Sequence, residues 1–362
     1  VLPLVDHHCH GVLRSDPDDA AFEAFLTESD APAANGTSFF DTQLGFAVRR
    51  WCPPLLGLEP HCPPGRYLAR RRELGAEEAN RLLLSSTGIG TYLVDTGLPG
   101  DLTTPDELAR LGGADAREIV RLEHLAERTG DKERDPDKFL AVLDDAIATA
   151  AGTTAGFKSV VGYRYGLDFA PEPPGGAELR AATAAWLSGG AGRITDSVLL
   201  RHLLWSAAGT GLPLQIHTGF GDPDLRLHRC DPLLLTDFIR AVRPTGCRLI
   251  LLHGYPYHRA AGYLAHVYPH VYADVGLSLG HTGTRATAVL AEFLELAPFG
   301  KLLFSTDAYG LAELYVVGAR LYRDALDQLL NGWTGSGAWS EADADRVAAL
   351  VSAGNAERVY GG

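Results

Sequence analysis

Leu2-Pro3-Leu4-Val5-Asp6-His7-His8-Cys9-His10 is an apolar run that closes in histidines, and three later stretches repeat its form. They are Leu212-Pro213-Leu214-Gln215-Ile216-His217, Arg248-Leu249-Ile250-Leu251-Leu252-His253 and Lys301-Leu302-Leu303-Phe304-Ser305-Thr306-Asp307. Each is the length of a strand, and each ends in a group that binds metal or moves protons. Alternation along a strand sends His8 and His10 to one side, and His7 and Cys9 to the other. In a barrel of parallel strands the C-terminal strand ends converge, so His8, His10, His217, His253 and Asp307 would meet. Imidazoles and a carboxylate gathered there would hold a divalent ion and leave a coordination position for water.

Outward from these runs, Thr91–Thr96, Glu118–Leu122, Gly156–Val161 and Val271–Val275 complete a set of eight strands with Leu4–His10, Leu212–His217, Arg248–His253 and Lys301–Thr306. Helical periodicity separates most of them, over Asp137–Ala151, Ile194–Ala208, Pro232–Val242, His258–His266, Arg285–Leu296 and Leu314–Leu330. Strand and helix in alternation predict a parallel sheet, and eight strands predict one α/β chain of (β/α)8 TIM-barrel fold over 1–362. The stretch 11–89 after the first strand is far longer than a crossover needs. It holds helical patterns at Asp18–Glu28 and Ala76–Leu84, with Pro53-Pro54 and Pro63-Pro64-Gly65 read as turns. It is expected to be a largely helical insertion that caps the barrel, not a separate domain. Phe169–Glu178 reads as a second long loop, and Ser340–Val359 as a terminal helix with Ser340 as its N-cap.

Composition narrows the function classes. Hydrophobic residues make up 46% and charged residues 21% of 362, as in an ordinary globular protein with a sizeable core. The net charge of −13 and the lack of a basic block argue against nucleic acid as a partner. No apolar stretch approaches the roughly 20 residues of a membrane helix. The N-terminus shows no basic-then-apolar secretory pattern. Five scattered cysteines, Cys9, Cys52, Cys62, Cys230 and Cys247, read as reduced thiols, so a cytoplasmic location is expected. Methionine is absent, so the motifs are weighed by local spacing alone.

A lone His-x-His is more often a packed or surface pair than a ligand set. The position of His8-Cys9-His10 at a strand end, with three more such groups at later strand ends, reverses that weighting. Arg164, flanked by Tyr163 and Tyr165, follows the fourth strand, where a guanidinium suits a substrate carboxylate and a surface ion pair is the plainer use. Asp95, Glu123 and His124 lie near the ends of the second and third strands and suit either support of the ligands or ordinary capping. His7 faces away from His8 and reads as packed or supporting. His281, beyond the seventh strand, reads as a substrate contact or a plain loop histidine.

Histidines at the ends of the first, fifth and sixth strands with aspartate at the eighth resemble the amidohydrolase superfamily. Phe157-Lys158-Ser159, Tyr163-Arg164, Leu214-Gln215-Ile216-His217-Thr218-Gly219 and Ser305-Thr306-Asp307-Ala308-Tyr309-Gly310 are similar to its amidohydrolase-2 branch. Within that branch the likeness is greatest to the amidohydrolase half of FluG-type proteins. The resemblance implies that His8, His10 and His217 ligate the metal. It implies that Asp307 touches the metal or its water and acts as general base, and that His253 orients water or polarises the carbonyl. In some superfamily members a carbamylated lysine at the position of Lys158 bridges two metals; unmodified, Lys158 would grip a substrate carboxylate. The branch favours one divalent metal, and histidine with carboxylate suits Zn2+. The activity implied is cleavage of a C–N amide bond in a small carboxylate-bearing substrate, with a γ-glutamyl amide suggested by the FluG-type likeness. Alternatives are a non-oxidative decarboxylase of the same branch, a sugar-acid isomerase, and a barrel that binds ligand without turnover. A small-molecule substrate is the expected partner, and analogy with such barrels points to a homodimer.

Overall fold

Each of the eight predicted strand segments coincides with a strand in the computed structural model, which describes residues 3–361. The strands are β1 Leu4–Cys9, β2 Ile89–Asp95, β3 Asp115–Arg121, β4 Gly156–Ser159, β5 Leu214–Thr218, β6 Leu249–His253, β7 Val271–Asp274 and β8 Leu302–Leu303. They form one sheet in the order β1 to β8, with parallel ladders, and helices connect them. This is a (β/α)8 TIM barrel. β1, β4, β5 and β6 are buried at every position, as parallel strands covered on both faces must be.

Cα packing divides the chain into two compact units. One takes the chain up to Arg117 and again Asp274–Arg358. In it β1 pairs with β2 through Val5 opposite Thr91 and Asp6 opposite Tyr92. β8 is shorter than the Lys301–Thr306 run because the chain leaves the regular ladder early. It stays bonded to β1 all the same: His7 N donates to Phe304 O (3.2 Å), Asp307 N to His8 O (3.0 Å) and His10 N to Ala308 O (2.9 Å). Four helices, Asp19–Ala24, Gln43–Leu55, Pro64–Leu74 and Ala76–Ser85, occupy the stretch between β1 and β2. The second and fourth of these pack on the long helix Ala312–Gly335.

Pro53-Pro54 is not the expected turn but the last turn of helix Gln43–Leu55. Proline lacks an N–H, so Pro53 leaves the Arg49 carbonyl without its helical donor. His61 N supplies one instead, at 2.6 Å. Pro64 sits at the start of the next helix, where a missing N–H costs nothing. Ser340 caps helix Glu341–Ala349 by accepting from Asp343 N at 3.1 Å. A wider turn over Leu350–Gly354 then separates it from helix Asn355–Tyr360.

The other unit takes Glu118–Ala273 and the chain from Val359. Its ladders set Lys158 opposite Arg121 and Gln215, and His217 opposite Leu252. All five cysteines are free and buried. Among the described residues no helix is long and apolar enough to cross a membrane.

Candidate metal centre

β1 and the residue just beyond its end deliver two imidazoles, and the turn after β8 delivers a carboxylate to meet them. His8 Nε2 lies 3.0 Å and His10 Nε2 3.3 Å from the same oxygen, Asp307 Oδ1. One ligand atom from each of the three residues falls within 4.8 Å of the others. The imidazole rings stand edge to face, with centroids 5.1 Å apart. His8 and His10 are buried, while the Asp307 side chain keeps 14% exposure, so the triad has an open side.

The surrounding hydrogen bonds fix this geometry. His10 Nδ1 lies 2.9 Å from the backbone oxygen of Asp95, at the end of β2. A carbonyl can only accept, so Nδ1 carries the proton and the Nε2 lone pair is left for a metal. Tyr315 O–H donates to the His10 carbonyl. Asp6 accepts from Thr306 N (2.9 Å) and Thr306 Oγ1 (2.5 Å), which anchors the residue before Asp307. Burial pushes the Asp6 carboxyl up to about 8, against the pull of those hydrogen bonds. Asp307 itself has φ +52°, a left-handed backbone in which aspartate is among the better tolerated residues.

On the other face of β1, His7 is packed as the sequence suggested, but sequence reasoning missed its partner, Asp274. His7 Nε2 lies 2.5 Å from Asp274 Oδ2, which also accepts from Ser305 Oγ at 2.6 Å. Asp274 thus ties the end of β7 to β1 and to the chain leading into Asp307. Its signal was present, since it too is an acid closing an apolar run. Asp274→Ala is expected to lower stability by about 3 kcal/mol, because two buried donors lose their acceptor. A urea titration with a lowered midpoint and unchanged slope checks this. Tyr309 and Phe25 were also missed as neighbours of the site. Tyr309 stands edge-on to His10 with centroids 6.1 Å apart, and Phe25 stands edge-on to Tyr309 at 5.1 Å. The Phe25 ring fills the space a Cβ at Gly310 would need, and Gly310 has φ +74°. Only glycine suits that position.

In the second unit, His217 and His253 come together with ring centroids 4.8 Å apart, and Tyr163 lies 4.5 Å from His217. Strand alternation alone would send His253 away from His217, because His217 is in register with Leu252. A left-handed backbone at His253, φ +67°, re-aims the ring. Lys158 is 2% exposed, so its head does not reach bulk solvent. Glu123 supports the end of β4: its Oε1 accepts from Ser159 Oγ (2.6 Å) and Val160 N (3.0 Å), and burial raises its pKa. Arg164 donates to Glu127 Oε1 at 2.7 Å, and the same oxygen accepts from Ile194 N at 2.9 Å. In the first unit, His281 lies 3.3 Å from Glu28.

A family model for amidohydrolases (Amidohydro_2) matches residues 123–362. Protein fluG of Emericella nidulans is 36% identical over 99% of this chain, and the chain spans 45% of the length of that relative. A solved structure named as a metal-dependent hydrolase, from Lactobacillus casei ATCC 334, superposes with a TM-score of 0.88 at 28% identity, covering 99% of this chain and 95% of its own. A uronate isomerase from Thermotoga maritima superposes with a TM-score of 0.61 at 13% identity, covering 99% of this chain and 94% of its own, a likeness of fold alone. With two thirds of its length matched by the family model, the site-bearing segments after β4 included, the chain belongs to the amidohydrolase family.

Proposed function

We propose that this chain is a divalent-metal-dependent hydrolase of C–N amide bonds in small carboxylate-bearing substrates, with γ-glutamyl amides as the first class to test. The observation that carries the reading is the His8, His10 and Asp307 triad, whose donor atoms lie within 4.8 Å of one another, with His10 Nδ1 held by the Asp95 carbonyl. Nitrogen and oxygen donors at this density suit Zn2+. Such an ion would supply Lewis acidity, lowering the pKa of water toward neutrality and polarising the scissile carbonyl. His217 is proposed to complete the donor set, on the strength of its place at the end of β5 in a parallel barrel.

The chain's own groups account for the proton movements. Asp307 takes a proton from water as its oxygen bonds to the carbonyl carbon. The C–N bond then breaks, and Asp307 returns the proton to the departing nitrogen, leaving a carboxylic acid and an amine. His253 donates toward the carbonyl oxygen as negative charge develops on it. Lys158 and Arg164 are proposed for the substrate carboxylate, with Tyr163 and His281 lining its approach. Lys158 is taken as an unmodified ammonium beside a single ion.

The test is product analysis on metal-restored protein. Amine release from γ-glutamyl amides, abolished by a chelator and regained with Zn2+, is the expected result. Carbon dioxide release with no amine would replace hydrolysis by decarboxylation. Lys158→Met is expected to keep one ion per chain by elemental analysis while raising KM for the carboxylate-bearing amide. Two ions in the parent protein and none in the variant would instead identify Lys158 as a bridge.

A further inference from the structure

Arg71 lies in the helix Pro64–Leu74 of the stretch between β1 and β2, and it is 2% exposed. Its guanidinium serves three elements at once. Nε donates to Glu313 Oε1 at 2.8 Å, Nη2 to Asn80 Oδ1 at 2.8 Å, and Nη1 to Asp16. Glu313 is fully buried and also accepts from Tyr67 O–H at 2.7 Å. Asn80 passes the connection on, donating from Nδ2 to the Leu13 carbonyl at 3.0 Å.

The places where these contacts land are informative. Leu13 and Asp16 lie three and six residues after His10, and Glu313 follows Asp307 in the chain that begins helix Ala312–Gly335. The two segments are also tied to each other: Gly310 N donates to Gly11 O at 3.0 Å, and Leu13 N to Gly310 O at 2.8 Å. One buried cation therefore grips the downstream end of both ligand-bearing segments. A buried ion pair of this kind adds little net stability, because desolvation offsets the attraction. It does fix geometry, because a planar fork with directed donors tolerates few alternative arrangements.

We propose that Arg71 is a positioning residue for the metal site, holding the chain after His10 and the chain after Asp307 at the spacing that lets their side chains share one ion. The assignment rests on the metal reading given above. It makes the helices between β1 and β2 part of the metal-binding machinery, although those helices supply none of the triad's ligands.

The experiment measures zinc affinity by competition with a chelating dye, together with Tm, on full-length protein. Arg71→Met strands the Glu313 carboxylate and is expected to lower both. Arg71→Met with Glu313→Gln removes the stranded charge and leaves an acceptor for Tyr67. The double variant is expected to regain a Tm near the parent's while its zinc affinity stays about 10–100-fold weaker, the range seen for groups that orient metal ligands. Parent-like zinc affinity in the folded double variant would overturn the proposal. A double variant that fails to fold would overturn it as well, by assigning Arg71 to stability alone. Failure of the parent protein to bind zinc would remove the metal reading itself, a result distinct from either.

Discussion

Asp307→Asn is expected to give a folded protein whose kcat on the proposed amide substrate is lower by about 10²–10⁴-fold, the range attributable to a general base. The fold should survive for local reasons. Asp307 sits at φ +52°, where asparagine is as well tolerated as aspartate. Its backbone N–H bond to His8 O, 3.0 Å, does not involve the side chain. Thr306 stays anchored by Asp6. What the substitution removes is the acidic oxygen that faces both imidazoles. Circular dichroism and Tm close to the parent's, with turnover lost, are the expected outcome. A fully active Asp307→Asn protein would remove Asp307 as the proton carrier.

His10→Ala is expected to lose the ion and, with it, the stabilisation that ion confers. Apparent zinc affinities of about 10–16 kcal/mol shared over four donors give about 3 kcal/mol per donor, or roughly 10²-fold in affinity. Because the ion binds the folded chain, added Zn2+ at 100 times Kd should stabilise the parent by about 2.7 kcal/mol. The same zinc concentration should do little for His10→Ala. The variant also leaves the Asp95 carbonyl without its imidazole donor, so some loss of stability in the metal-free form is expected. Thermal melts of parent and variant with and without Zn2+ separate the two contributions. An equal Zn2+ shift in both proteins would take His10 out of the donor set.

Much of this was legible in the chain. Parallel strands buried on both faces must be written as short apolar runs, as β1, β4, β5 and β6 are, while the more polar β3 was placed by its position in the β/α alternation; the candidate metal-binding groups could be seen at strand ends. His8 and His10 face the same carboxylate, as alternation predicts, although the register of β1 on β2 shifts between Asp6 and Cys9 and the strand ends just before His10. Alternation stopped being a guide where the backbone turned left-handed, at His253 and Asp307. There the side chain goes where the turn sends it, not where strand parity would. The partners that orient the ligands were harder to read. Asp95 was named as a candidate support, but it acts through its backbone carbonyl, which carries no residue-type signal. His7 and Asp274 are 267 positions apart, and only the arrangement of the first and seventh strands brings them together. Arg71 was invisible for a related reason: a buried arginine in a polar helix differs from an exposed one only in what it meets.

The most direct test is anomalous diffraction at the zinc absorption edge from crystals of zinc-loaded protein. One peak per chain is predicted, about 2.0–2.2 Å from the Nε2 atoms of His8 and His10 and from a carboxylate oxygen of Asp307. A zinc-loaded crystal with no peak among these three residues, or with its ion bound elsewhere, would contradict the account.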